Sequence, residues 1–147
     1  MTKILTDTTS GLSLADAAKL GIHLVPQIVN FGERSYRDDT EIDTATFLQK
    51  LRQSTELPKT AAPPPALYDP IFTKVNQTGE DVICLHPSAK VSGTIRSATV
   101  ASQNYPDANI HIVDTGIIAG PLATLVLLAT QWAKDGIPAE VIVDGIN

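Results

Sequence analysis

The sequence predicts an α/β fold, a mostly parallel sheet with helices on both faces. Three observations lead there. Short β-rich apolar runs at residues 3–6, 81–86 and 110–113 alternate with stretches of helical apolar spacing. The runs end in small polar residues and glycine, the composition of loops. The 147 residues are 43% hydrophobic and only 5% aromatic, enough for one domain (residues 1–147) with an aliphatic core.

Each element has its own signal. Lys3-Ile4-Leu5-Thr6 reads as a buried strand, followed by a polar loop from Asp7 to Gly11. Ser13 caps a helix whose apolar positions are Leu14, Ala17, Ala18 and Leu20, with Gly21 as its stop. Residues 22–31 are β-rich but carry Pro26, so they read as one edge or bulged strand. Gly32 turns that strand into a hairpin through Arg34, Ser35 and Tyr36, and residues 38–41 read as a solvated acidic face. Asp43 or Thr44 caps a second helix with an apolar stripe of Phe47, Leu48 and Leu51. The proline-rich residues 57–65 must be extended, because a residue before proline avoids the helical region. A helix to about Val75 follows. Asp81 to His86 is a strand, and Ser92-Gly93-Thr94 opens a helix to about Asn104. After the strand at residues 110–113 come an apolar helix over residues 120–135 and a last helix begun by Pro138. That last helix lacks a second polar turn, so the chain reads as cut rather than finished.

Composition excludes several functions. A net charge of −5 argues against a nucleic-acid binder. One cysteine, Cys84, leaves no disulfide framework and no cysteine-rich metal site, and its neighbours Ile83 and Leu85 mark it as inert core. Met1-Thr2-Lys3 leads straight into a strand with no signal-peptide pattern, which makes the cytoplasm the expected location. No charge lies between Asp114 and Lys134, but Gly116, Gly120, Pro121 and several threonines make that stretch a buried helix rather than a membrane span.

Ligands of open α/β sheets sit beyond the carboxyl ends of the strands. The strand ends here carry Thr6 to Ser10, His86 to Ser88 and Asp114 to Gly116. The helix start at Ser92-Gly93-Thr94 combines two hydroxyls with a glycine, and free N–H groups and the helix dipole favour an anion there. The same residues also suit a plain helix cap. No phosphate-loop motif and no G-x-S-x-G elbow is present, so a single carboxylate fits better than a triphosphate. Lys59-Thr60, held in the stiff proline-rich stretch, either presents the Thr60 hydroxyl to a ligand or is a rigid connector. His23 and His111 read as structural; His86 ends a strand without any metal-ligand spacing. A competing possibility is an enzyme, for example a phosphotransferase, using Asp7, Ser10 and Asp114 at the strand ends.

Several segments in order carry a family resemblance. They are Ile4 to Ser10, Val25-Pro26, Phe31-Gly32, Ser35-Tyr36-Arg37-Asp38, Pro58-Lys59-Thr60, Ser92-Gly93-Thr94 with Ser97-Ala98, Pro106-Asp107-Ala108 and Val113-Asp114. Together they resemble the amino-terminal lobe of the DegV proteins, bacterial fatty-acid-binding proteins that include the binding subunits of fatty acid kinase. The resemblance implies a carrier without catalysis or cofactor of its own. It implies a long-chain fatty acid whose carboxylate is held by Thr60 and Ser92 with the Gly93 backbone beside them. Ser10, Ile28, Phe31, Thr94 and Ile95 are further candidate pocket residues. It also implies a partner kinase that phosphorylates the bound carboxylate to an acyl-phosphate. Ala61 and Ala62 stand where the family often has serine and glutamine, and Ile95 and Arg96 where it often has an aromatic and a glutamine. Family members are about twice as long, and their second lobe helps to enclose the tail and supplies a histidine near the carboxylate. A long tail left half exposed forfeits on the order of 6 kcal/mol, or about four decades of affinity, at ~0.8 kcal/mol per CH₂. The expectation is therefore weak fatty-acid binding by this chain alone, and an apolar face that drives self-association.

Overall fold

The computed structural model describes residues 2–146. Its centre is a four-stranded parallel sheet of β1 (Lys3–Asp7), β2 (Ile22–Val25), β6 (Asp81–His86) and β7 (Asn109–Asp114), in the order β2-β1-β6-β7. A second, antiparallel sheet joins β3 (Ile28–Phe31), β4 (Arg34–Arg37) and β5 (Lys59–Ala61), in the order β4-β3-β5.

Strand alternation sorts the core onto two faces. Ile4, Ile83, Leu85 and Val113 pack on one face against α1 (Leu14–Leu20), α5 (Gly120–Lys134) and α6 (Ala139–Ile146). Their partners there include Ala17, Leu122, Val126 and Ile142. Leu5, Val82 and Cys84 face the other way, onto Tyr68 and the helices α3 (Asp69–Thr78) and α4 (Thr94–Ser102). Phe72, Val75, Ala98 and Ala101 complete that layer. Both central strands are covered on both sides, which is why their sequences read as continuous apolar runs.

Local caps follow the side-chain chemistry. Ser13 accepts from the Asp16 N–H at 3.0 Å to start α1, and Asp43 accepts from the Thr46 N–H at 2.7 Å to start α2 (Thr44–Gln53). Gly21, at φ 76°, ends α1 in the left-handed region that its missing Cβ makes cheap. Pro70 lies in the first turn of α3, where a missing N–H costs nothing.

Several expectations need correction. Residues 22–31 are two strands: β2 is the edge of the parallel sheet and β3 is the middle of the small one, divided at Pro26 and Gln27. Pro26 offers no N–H for a ladder, so the chain leaves one sheet there and enters the other. The apolar stripe of α2 is not core: no residue of α2 is buried, and Leu48 is 42% exposed. Residues 38–41 are not a plain solvated face, because Asp38 accepts the Thr8 hydroxyl and Asp39 pairs with Arg37 at 2.7 Å. The proline-rich stretch forms β5 at residues 59–61 against β3, but its last residue, Pro65, already begins a short 3-10 turn (Pro65–Tyr68) rather than extended chain. Among the described residues, no helix is long and apolar enough to cross a membrane.

Candidate functional site

β1 runs to β2 through α1 on one face, whereas β6 runs to β7 through α4 on the other. The crossovers therefore diverge between β1 and β6, and a crevice opens beyond their carboxyl ends. The residues at that crevice are Asp7 from β1, His86 from β6, Gln27 from the link between the sheets, and Thr94 from the first turn of α4.

All four are buried and joined by hydrogen bonds. His86 Nδ1 lies 2.8 Å from Asp7 Oδ2, and the Tyr68 hydroxyl lies 3.3 Å from His86 Nε2. Gln27 Nε2 donates to Asp7 Oδ1 at 3.1 Å and to Thr94 Oγ1 at 2.9 Å. Thr94 Oγ1 is 2.8 Å from Ser92 Oγ, which is only half-buried. The network thus runs from the core to a partly open hydroxyl. Burial acts to raise the Asp7 carboxyl, but the bonds from His86 and Thr9 outweigh it and hold Asp7 below its ordinary value of 3.8. Burial drives the Tyr68 hydroxyl strongly upward, aided by Cys84 and Asp7, so it stays a phenol.

Ser92 and Gly93 open onto a concavity of about 470 Å³, shared with Ala89, Val91, Ile95 and Arg96. The N-cap position of α4 is Gly93, which has no side-chain cap, while Ser92 Oγ accepts the Thr94 N–H at 3.3 Å. The first turn of α4 leaves N–H groups without intrahelical acceptors beside Ser92. Gly93 has φ −83°, which any residue adopts. Its interest is its neighbour: a Cβ there would lie 3.6 Å from Ala62 Cβ. The proline-rich segment therefore runs against the start of α4.

Thr60 lies on β5 opposite Val29, two residues before Ala62. It is exposed, and its hydroxyl makes no hydrogen bond to the described residues. Ile28 stands opposite Ala61 on β3. Phe31 lies at the far end of β3, packed edge-on to Tyr36 and Phe47, away from the concavity. Ser10 is buried at the end of the turn after β1 and accepts weakly from the Leu12 N–H at 3.4 Å. Asp114 is exposed and accepts the N–H groups of Ala89 and Gly116. The strand-end carboxylates thus do not form a pair: Asp7 is committed to the buried network and Asp114 to the N–H groups of the loops after β6 and β7. Among the described residues, no group of three or more metal-ligating side chains occurs.

Gln27 and Tyr68 carried no signal in the sequence, and His86 carried only its place at a strand end. The hint available for Gln27 was the proline before it, which ends one strand and starts another.

A family model described as an uncharacterised protein of the DegV family matches residues 1–147, the whole chain. The chain belongs to the DegV family. A DegV domain-containing protein of Halalkalibacterium halodurans is 35% identical over 150 residues, covering 100% of this chain and 53% of the relative. Protein DegV of Bacillus subtilis is 27% identical, covering 95% of this chain and 50% of the relative. The chain thus spans about half the length of the curated relatives it matches. Among solved structures, a fatty-acid-binding DegV family protein from Thermus thermophilus superposes with a TM-score of 0.87 at 30% identity, over 99% of this chain and 51% of that one. A stearic-acid-binding protein from Eubacterium ventriosum superposes with a TM-score of 0.87 at 29% identity, over 99% of this chain and 52% of that one. The α/β fold, with its parallel and small antiparallel sheets, is the fold of the DegV structures.

Proposed function

We propose that this chain is the carboxylate-holding lobe of a DegV-type fatty-acid carrier. The observation that carries the reading is Ser92 at the mouth of an open concavity, at the start of α4, where first-turn N–H groups lack intrahelical acceptors. The approach of Ala62 to Gly93 supports a part for the nearby Thr60. The fatty acids named for the superposing proteins support the choice of ligand. In this reading the Thr60 and Ser92 hydroxyls and the Gly93 N–H hold the carboxylate, Ile95 and Ile28 border the first part of the tail, and the site binds without chemistry or cofactor of its own. The concavity leaves the head group reachable, as transfer of a phosphoryl group by a partner kinase requires. The rest of the tail needs further enclosure, because the concavity at Ser92 is open and of modest volume.

Octanoate tests the head-group site without a long tail. In an amide NMR titration of the chain, it is expected to shift Gly93 and its neighbours in the first turn of α4. Ser92→Ala and Thr60→Ala are each expected to weaken binding about tenfold, the worth of one hydrogen bond to a charged group. Thermal melting of the Thr60→Ala protein should stay unchanged. Octanoate shifts confined to another part of the molecule, or unaltered affinity in both variants, would overturn the reading.

A further inference from the structure

We infer that Gln27 and Thr94 are positioning residues that fix the Ser92 hydroxyl as an outward hydrogen-bond donor, so that the site selects an acceptor head group. The inference rests on the reading of Ser92 as the head-group site and adds what sets its selectivity.

Proton accounting along the buried network decides the direction of every bond. Asp7 is an ionised carboxylate and can only accept. Gln27 must therefore turn its amide NH₂ toward Asp7 Oδ1, and the second hydrogen of that NH₂ goes to Thr94 Oγ1, 2.9 Å away. The Nδ1 of His86 that faces Asp7 carries a proton, because the carboxylate can only accept. Thr94 is fully buried, and its own hydroxyl proton has one remaining neighbour, Ser92 Oγ at 2.8 Å. A buried hydroxyl proton left without an acceptor is costly, so Thr94 donates to Ser92. Ser92 Oγ also receives the Thr94 N–H at 3.3 Å. Both lone pairs of Ser92 are then occupied from inside, and its proton has no acceptor among the described residues. It is directed to the concavity, toward a ligand atom that accepts. The chain of bonds starts at an anion and ends in a donor, with the alternate direction blocked at each step.

The test compares octanoate with octanol, two probes of one tail length, in the wild-type chain and in Thr94→Val, Gln27→Met and Thr94→Ser. Octanoate only accepts at its head, whereas octanol both donates and accepts. Wild type is expected to prefer octanoate. Thr94→Val and Gln27→Met free the Ser92 hydroxyl to turn, and are expected to lose about threefold for octanoate, the cost of re-fixing one three-well rotor. Octanol affinity should change by less than about twofold, because a rotating hydroxyl still pairs with an alcohol. Thr94→Ser restores the bond and should recover the wild-type preference. Equal losses for both probes would mean a merely structural role and would overturn the inference, as would an unchanged preference in both variants. Absence of octanoate binding to wild type would overturn the head-group site itself and the inference with it, so the two failures are told apart. If Gln27→Met does not fold, the Thr94→Val and Thr94→Ser pair carries the comparison alone.

Discussion

The two sheets are built on opposite terms. In the parallel sheet, β6 holds Val82, Ile83, Cys84, Leu85 and His86 at 0% exposure, covered on both faces. In the antiparallel sheet, all three residues of β5 are exposed, β4 has no buried residue, and only Val29 of β3 is buried. The first sheet is a buried frame, and the second is a thin, exposed flap whose edge strand β5 carries Thr60. The candidate site lies where they meet, with Gln27 in the link and its side chain in the frame. Anchoring and access are thus separated: Ser92 is bonded to the buried Thr94, whereas Thr60 is exposed with its hydroxyl free of bonds to the described residues.

The comparison can be broken most strongly in the frame. His86→Leu removes the partner of a buried carboxylate and is expected to cost about 3 kcal/mol or more, read as a lower urea midpoint. Leu85→Ala opens a cavity in the same strand and should cost about 3 kcal/mol. Leu48→Ala, on the unpartnered face of α2 beside the flap, should stay within ~0.5 kcal/mol. A Leu48→Ala loss as large as that of Leu85→Ala would mean that α2 is covered in solution.

Next in size is the loop before α5. Ala119 has φ 59° and ψ −133°, and among the described residues it is the only non-glycine with positive φ. Its N–H bonds Thr9 O at 3.1 Å, which ties this strained turn to the loop after β1. Ala119→Gly relieves the clash of its Cβ and should raise stability by about 1 kcal/mol, seen as a higher melting temperature. A lower melting temperature would show that the side chain contributes more than its strain costs.

The smallest effects sharpen the contrast through pH. Asp7 in the frame has a lowered pKa, so its contribution is present above its ordinary 3.8 and lost as pH falls through the folded value. Asp38, beside the flap, has a raised pKa. Burial dominates there, against the bonds from Thr8 and Gln27, and repulsion from Asp39 and Asp7 adds to it. Its ionisation therefore opposes folding, and stability falls as pH rises from 3.8 to its folded value. Urea midpoints against pH should lose their acid-side rise in Asp7→Asn and gain slope in Asp38→Asn. Slope changes of the same sign in both variants would refute the assignment of the two environments.

Much of the frame was legible along the chain. Runs such as Val82-Ile83-Cys84-Leu85 are continuous and apolar because both faces are covered. Ser13, Gly21 and Asp43 mark helix ends because capping is local chemistry. The flap was less legible. Its strands are short and exposed, so no apolar alternation separates β2 from β3, and the Phe47, Leu48 and Leu51 stripe is only half-covered, with Phe47 on Phe31 and Leu48 exposed.

The candidate site divides in the same way. Thr60, Ser92 and Gly93 stand in short local motifs, so the sequence names them as candidates, and hydroxyls at a helix start suggest an anion there. The bonds that hold Ser92 are set by the fold alone. Asp7, Gln27, Thr94 and His86 are joined across separations of up to 79 residues, through bonds of 2.8–3.1 Å. No local spacing encodes such contacts. They arise because the parallel sheet sets β1 beside β6, and because a buried polar group must then find its partner among whatever the fold brings near.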